Sequence, residues 1–177
     1  MKFRVEKRLE NGLGRAGVIE TAHGEIKTPA FMAVGTNGYV RFLSAQDLED
    51  CGVQAMLSNG YHLRRRSGQI AAAGGLAEWQ PRDQEVAGSI RIDGLSAEAW
   101  QGPTLTDSGG FQVMSLGSGL GKVVAMDRVD EVKNTAHKER LARVSEKGVD
   151  FIDPFDGQPD FVGPEESMQI QCRIGAD

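Results

Sequence analysis

The sequence predicts an α/β fold built on a parallel sheet, and three observations carry that prediction. Strand-like and helix-like segments alternate along most of the chain. Ala30-Phe31-Met32-Ala33-Val34 is a short continuous apolar run, the pattern of a strand covered on both faces. Two helices carry clear start signals: Ser44 with Asp47 three residues on, and Pro164 followed by Glu165-Glu166.

Taken in order, the first thirty residues read as paired strands. Gly12 and Gly14 break the first run, and Val18 to Ile26 reads as strand, turn, strand. Thr28-Pro29 leads into the apolar run. Ser44 then caps a helix, with Leu43 and Leu48 spaced as a hydrophobic staple and Gly52 as its stop. Val53 to Leu57 is the next strand. A helical stretch from about Gly68 to Ala73 ends at Gly74-Gly75, and Thr104-Leu105-Thr106 is a further short strand.

The segment from Asp130 to Lys147 has helical spacing, with Val132, Ala136, Leu141 and Val144 on one side. Phe151 to Phe161 alternates around Asp156-Gly157, a hairpin turn signal. The Pro164 helix pairs Met168 with Cys172 and Ile170 with Ile174 at i,i+4 spacing, and Gly175 ends it. Residues 80–97 and 116–130 fit the alternation poorly and read as loops on the scaffold.

A complete (β/α)₈ barrel needs about 250 residues. In a barrel, these 177 residues would supply the first three or four units. A small complete α/β sandwich is the other reading of the pattern alone. Composition, with 40% hydrophobic and 25% charged residues, is that of a globular rather than a disordered chain. No apolar run approaches the roughly 20 residues of a membrane span, and Met1 to Lys7 lacks the features of a signal peptide, so a cytoplasmic protein is expected. Cys51 and Cys172 are too few and too distant for a disulfide framework, and are expected to be small buried residues. The net charge of −5 is not that of a surface that grips RNA phosphates. An RNA-binding role would need a basic surface elsewhere in a longer protein.

The chemistry is concentrated in Thr104-Leu105-Thr106-Asp107-Ser108-Gly109-Gly110-Phe111-Gln112. A strand ends, an acid follows at its C-terminal edge, and that edge is where parallel α/β folds bind ligands. Glycines let backbone N–H groups approach a flat ligand, Phe111 offers a ring to stack on, and Asp107 can accept N–H bonds or move a proton. A plain βα turn with a capping Asp or Ser is the competing reading.

The Asp-Ser-Gly-Gly-Phe-Gln string, preceded by Pro-Thr-Leu-Thr, resembles the signature of the queuine (archaeosine) tRNA-ribosyltransferase family. Other stretches resemble the same family in the same order: Thr28 to Thr36 its first barrel strand, and Asn59-Gly60-Tyr61-His62-Leu63 its Asn-Thr-Tyr-His-Leu motif. Phe155-Asp156-Gly157, Gly163 to Ser167 and Ile170-Gln171 resemble the hairpin and helix before its fourth strand.

The resemblance implies the N-terminal portion of a single TIM-barrel catalytic domain over residues 1–177, with an N-terminal hairpin. It implies exchange of guanine at the tRNA wobble position for a 7-deazaguanine, preQ1 or queuine, through a covalent enzyme–tRNA intermediate. Asp107 then binds the heterocycle and handles its proton, Ser108, Gly109 and Gly110 line the pocket, and Phe111 stacks on the base.

The family's nucleophile, its zinc subdomain and zinc ligands, and most of its tRNA surface belong to the second half of the barrel. The full-length form is expected to be a zinc-containing homodimer, and the isolated chain inactive. A non-catalytic or truncated relative that helps bind tRNA is the alternative. Gly60 stands where the family usually has Thr, and Ser67 where it usually has Pro. Gln112 is expected to support the turn, His62 to pack beneath the site, and His23, His137 and Arg64-Arg65-Arg66 to be solvated.

Overall fold

The computed structural model describes residues 1–79, 100–117 and 142–177. They form two compact units, Met1–Asp107 with Gln171–Asp177, and Ser108–Ile170.

The first unit begins with an antiparallel meander of β1 (Lys2–Arg8), β2 (Arg15–Thr21) and β3 (Gly24–Thr28). The turn read at Ala22-His23 joins β2 to β3, where Thr21 pairs with Gly24. A second sheet follows: β4 (Met32–Val34), β5 (Ala55–Asn59) and β6 (Thr104–Asp107), all parallel, with β5 in the middle. The two sheets are tied by the Gln54 side chain, whose Oε1 accepts from the Lys27 backbone N–H at 2.8 Å and whose Nε2 donates to the Lys27 carbonyl at 3.3 Å.

Helix α1 (Ala45–Asp50) lies between β4 and β5 and starts where the sequence says. The Ser44 hydroxyl accepts from the Asp47 N–H, and the Asp47 carboxylate accepts from the Ser44 N–H at 2.7 Å. Two of the N–H groups that a helix start leaves unpaired are thereby satisfied. The helix buries Leu48 in a cluster with Ala33, Met56 and Trp100, and Val40 and Val53 pack against it. Truncating a leucine at such a site costs about 2–5 kcal/mol.

After β5 the chain coils through α2 (Gly60–Leu63), a 3-10 turn (Arg64–Arg66) and α3 (Ser67–Ala73), which ends in the left-handed Gly74.

In the second unit, α4 (Gly110–Gly117) precedes an antiparallel meander of β7 (Ala142–Ser145), β8 (Gly148–Ile152) and β9 (Pro159–Val162). Helix α5 (Pro164–Ile174) then starts on Pro164 as read, and its last turn belongs to the first unit.

The α/β class and the parallel sheet are observed. Each sheet has three strands, and no closed barrel forms among the described residues.

Several expectations are corrected. The apolar run does not give a strand covered on both faces: Phe31 is 77% and Val34 62% exposed, so among the described residues nothing packs over these side chains. Cys51 and Cys172 are exposed, the first just past the end of α1 and the second on α5. The helix expected from Asp130 to Lys147 gives way at its end to β7. There Ala142 to Ser145 pair residue for residue with Phe151 to Gly148. The Ser145 hydroxyl closes the turn, donating to the Gly148 carbonyl at 3.0 Å and accepting from the Lys147 N–H at 3.3 Å. A full ladder of backbone bonds overrides weak helical spacing. Residues 130–141, His137 among them, and the loop at 80–97 lie outside the described residues.

His23 is not solvated as expected. Its Nδ1 lies 2.9 Å from the Asp177 carboxylate and its Nε2 3.0 Å from Glu78 Oε1. Asp177 also accepts from the Ala22 and Thr104 N–H groups, so one carboxylate joins the β2–β3 turn to the foot of β6. Two acceptors on one ring require both nitrogens to be protonated. The Glu78 and Asp177 bonds therefore raise the His23 pKa, against the effect of burial. Burial pushes the Asp177 carboxyl up, but the Thr104 N–H and His23 outweigh it and leave it lowered. Glu78 is lowered chiefly by its bond to His23.

The sign for stability follows by linkage. The His23 contribution is complete below its ordinary value of 6.5 and is lost as pH rises through its raised folded value. The two carboxylates contribute above their ordinary values and lose that contribution as pH falls. Stability to urea should therefore decline as pH is raised above 6.5 and through the raised folded value of His23. His23→Gln should flatten that decline, and an equally steep decline in the variant would remove His23 as its cause.

Candidate active site

The C-terminal ends of β5 and β6 place two polar side chains side by side. In the parallel register Asn59 is the partner of Asp107. Side chains at paired positions share a face of the sheet, and these two meet: Asn59 Nδ2 donates to Asp107 Oδ2 at 2.9 Å. The next backbone N–H, that of Gly60, donates to Asp107 Oδ1 at 3.2 Å. Both carboxylate oxygens are thus gripped by one dipeptide, while Asp107 stays exposed at the sheet edge.

Asn59 is itself fixed. It is the N-cap of α2, and its Oδ1 accepts from the His62 N–H at 3.2 Å. That bond decides which way the amide faces, since the oxygen must point at the helix and the NH₂ group is left for Asp107. Beneath it, the Ser58 hydroxyl donates to the Gly35 carbonyl at 2.7 Å and the Asn59 N–H to the Thr36 carbonyl at 3.2 Å, which fixes β5 to the end of β4. On β6 the Thr106 hydroxyl lies 3.4 Å from Gln171 Oε1, at the last turn of α5.

Helix α2 carries its other motif residues inward or along the surface. Tyr61 and Leu63 are buried, and the half-buried His62 ring meets the Tyr61 ring edge-on at 5.3 Å. Arg64 is less free than a solvated loop residue: its guanidinium lies 4.1 Å over the Tyr61 ring and donates to the Tyr61 carbonyl at 2.7 Å.

The second unit opens with Ser108. Its hydroxyl accepts from the Gly110 N–H at 3.3 Å, and its carbonyl accepts from the Ser167 hydroxyl of α5 at 3.3 Å. Gly109 is buried at φ +68°, a left-handed conformation that other residues reach only with strain. Gly110 starts α4. Phe111 follows on the first turn at 60% exposure, while Val113 faces the interior. Gln112 does not support the turn through its side chain as expected. Its carboxamide oxygen is buried without a hydrogen-bond donor among the described residues, and only its backbone carbonyl is used, by the Ser115 hydroxyl.

Each of the five residues singled out in the sequence therefore has a defined place: Asp107 exposed and gripped, Ser108 turned back on Gly110, Gly109 in the left-handed turn, Gly110 at the helix start, and Phe111 turned outward. Sequence reasoning missed the role of Asn59. The available signal was an amide at the end of one parallel strand in line with an acid at the end of the next.

The chain matches the sequence profile of the family described as Queuine tRNA-ribosyltransferase over residues 10–177. It is 39% identical over its full length to a queuine tRNA-ribosyltransferase of Fusobacterium nucleatum, covering 38% of that protein. It is 36% identical to one from Synechococcus sp. strain CC9311, with 99% of the chain and 37% of the relative covered. A Thermotoga neapolitana relative of the same description is 34% identical, with 100% of the chain and 37% of the relative covered. The chain thus spans under two-fifths of the length of these curated relatives.

The two adjacent glycines are expected to behave differently. Gly109→Ala forces a side chain into φ +68° and should lower unfolding free energy by about 1 kcal/mol. Gly110→Ala meets only the Ser108 hydroxyl at 3.4 Å and should be neutral or slightly stabilising at a helical position. Urea midpoints of the two variants check this, and an equal loss at both would show that the left-handed turn is not the constraint.

Proposed function

This chain belongs to the queuine tRNA-ribosyltransferase family, and on that premise we propose that it carries the base-recognition part of a transglycosylase site. The whole protein exchanges guanine at the wobble position of a tRNA anticodon for a 7-deazaguanine, preQ1 or queuine. The observation that carries this reading is Asp107: exposed at the C-terminal edge of a parallel sheet and held at both carboxylate oxygens. A fixed acceptor at that edge suits the N–H groups of a purine-like ring.

In this reading the target nucleotide leaves the stack to enter the site. A carboxylate of the protein attacks its C1′, the glycosidic bond to guanine breaks, and the tRNA is held as an ester. The incoming base gives up a ring proton, attacks C1′ through that nitrogen and releases the carboxylate. Covalent catalysis of this kind splits one difficult displacement into two easier ones. Asp107 binds the heterocycle and takes or returns the proton as bases exchange. Ser108, Gly109 and Gly110 line the base, and Phe111 stacks on it.

The attacking carboxylate belongs to the part of the relatives' length that this chain does not span. The parallel sheet β4-β5-β6 is, in this reading, the first part of a TIM barrel formed as a single domain, cytoplasmic and dimeric at full length. Among the described residues no three His, Cys, Asp or Glu side chains come together as a metal site requires. The resemblance assigns the family's zinc to the part of the relatives' length that this chain does not span, and no step runs through it. The net charge of −5 is not that of a surface that grips RNA phosphates, which supports assigning the main tRNA contacts to the rest of a longer protein.

Two measurements of labelled guanine incorporation into tRNA test the proposal. The 177-residue chain alone is expected to incorporate none; incorporation by it would contradict the assignment of the nucleophile. In a protein of the relatives' full length, Asp107→Ala should lower turnover by about 10²-fold or more, the usual worth of a positioned acid–base group. Unchanged turnover would remove Asp107 from the chemistry.

A further inference from the structure

The position where the chain departs from the Asn-Thr-Tyr-His-Leu pattern lies directly against Asp107. A Cβ built on Gly60 would sit 2.6 Å from the Asp107 carbonyl oxygen, a separation that real Cβ atoms do not show. The obstruction is backbone, so no side-chain rotation relieves it. Gly60 is not among the glycines with positive φ, so its backbone conformation does not demand glycine. Space does.

That close approach has a consequence for the carboxylate. It brings the Gly60 N–H to 3.2 Å from Asp107 Oδ1, while Asn59 holds Oδ2. The strand cannot easily back away. Its partner register pairs Asn59 with Asp107, and the Ser58 hydroxyl and the Asn59 N–H tie β5 to the end of β4.

We infer that Gly60 is a positioning residue for Asp107: its missing side chain lets the β5–α2 junction close on β6 and hold the carboxylate from both oxygens. The inference rests on the reading of Asp107 as the base-binding acid for its functional meaning, but not for its geometry. It follows that threonine, the residue usual in the resembling motif, is the disruptive one in this chain. A side chain at position 60 pushes the junction off β6, breaks the N–H bond to Oδ1 and turns the carboxylate.

Heteronuclear NMR of the full chain tests this without turnover. In wild type, the residue 60 backbone amide and the Asn59 side-chain amide should both shift in the pH step at which Asp107 takes up its proton, identified by the loss of that step in D107N. In G60A and G60T the step at the residue 60 amide should vanish while the rest of the spectrum remains that of the folded chain. Should neither variant fold, the wild-type titration is read in their place: the residue 60 amide must follow the Asp107 step together with the Asn59 side-chain amide.

Absence of the step in wild type, or its persistence in G60A and G60T, would overturn the inference. Adding guanine to the wild-type sample separates this result from the functional reading. A pH step at residue 60 with no guanine response near Asp107 would sink base binding and leave the positioning role standing.

Discussion

The hydrogen bond between Asn59 and Asp107 is the contact on which the site depends. It exists because two parallel strands end in register, one on an amide and the other on an acid. A parallel ladder places such side chains on one face and at one edge, and the turn into α2 fixes the amide by drawing its oxygen to the His62 N–H. The carboxylate is therefore oriented by secondary structure rather than by a long side chain finding its own way. Everything beneath it serves that placement: the Ser58 and Asn59 bonds to the end of β4, and the Leu48, Met56 and Trp100 cluster that seats α1 against the sheet.

The opposite end of the same sheet has its own tie. Asp177 reaches back to the Thr104 N–H at the start of β6 and to His23 in the β2–β3 turn. The first unit is thus closed at both ends of β6 by polar contacts across large sequence separations. Contacts of this kind are hard to see in a linear sequence, because each partner alone reads as an ordinary turn residue. His23 looked like a solvated turn histidine for that reason.

Much of the local structure was legible. Ser44 with Asp47, Pro164 with its acidic turn, and the terminating Gly74 and Gly175 each act through their own backbone geometry, so they can be read where they stand. The order and direction of β4, β5 and β6 followed from helices spaced between apolar runs. What failed was what depends on neighbours. Burial of Val34 and Phe31 requires something to cover β4, and the exposure of Cys51 and Cys172 is set by what surrounds the end of α1 and the outer face of α5. Residues 142–145 took a strand because the Ser145–Gly148 turn offered a partner strand, which outweighs helical spacing. At the candidate site, the acid and the two glycines stand out in the motif, whereas the placement of Asn59 and Gly60 against Asp107 follows only from the strand register.

The proposed function makes the gripped, exposed carboxylate of Asp107 a receptor for a purine-like base. A crystal structure of this chain grown with saturating guanine addresses it most directly. Ring N–H groups of the base should lie within hydrogen-bond distance of the Asp107 carboxylate, with the Asn59 amide still facing it. Guanine bound elsewhere, or an Asp107 side chain that makes no contact with the bound base, would contradict it.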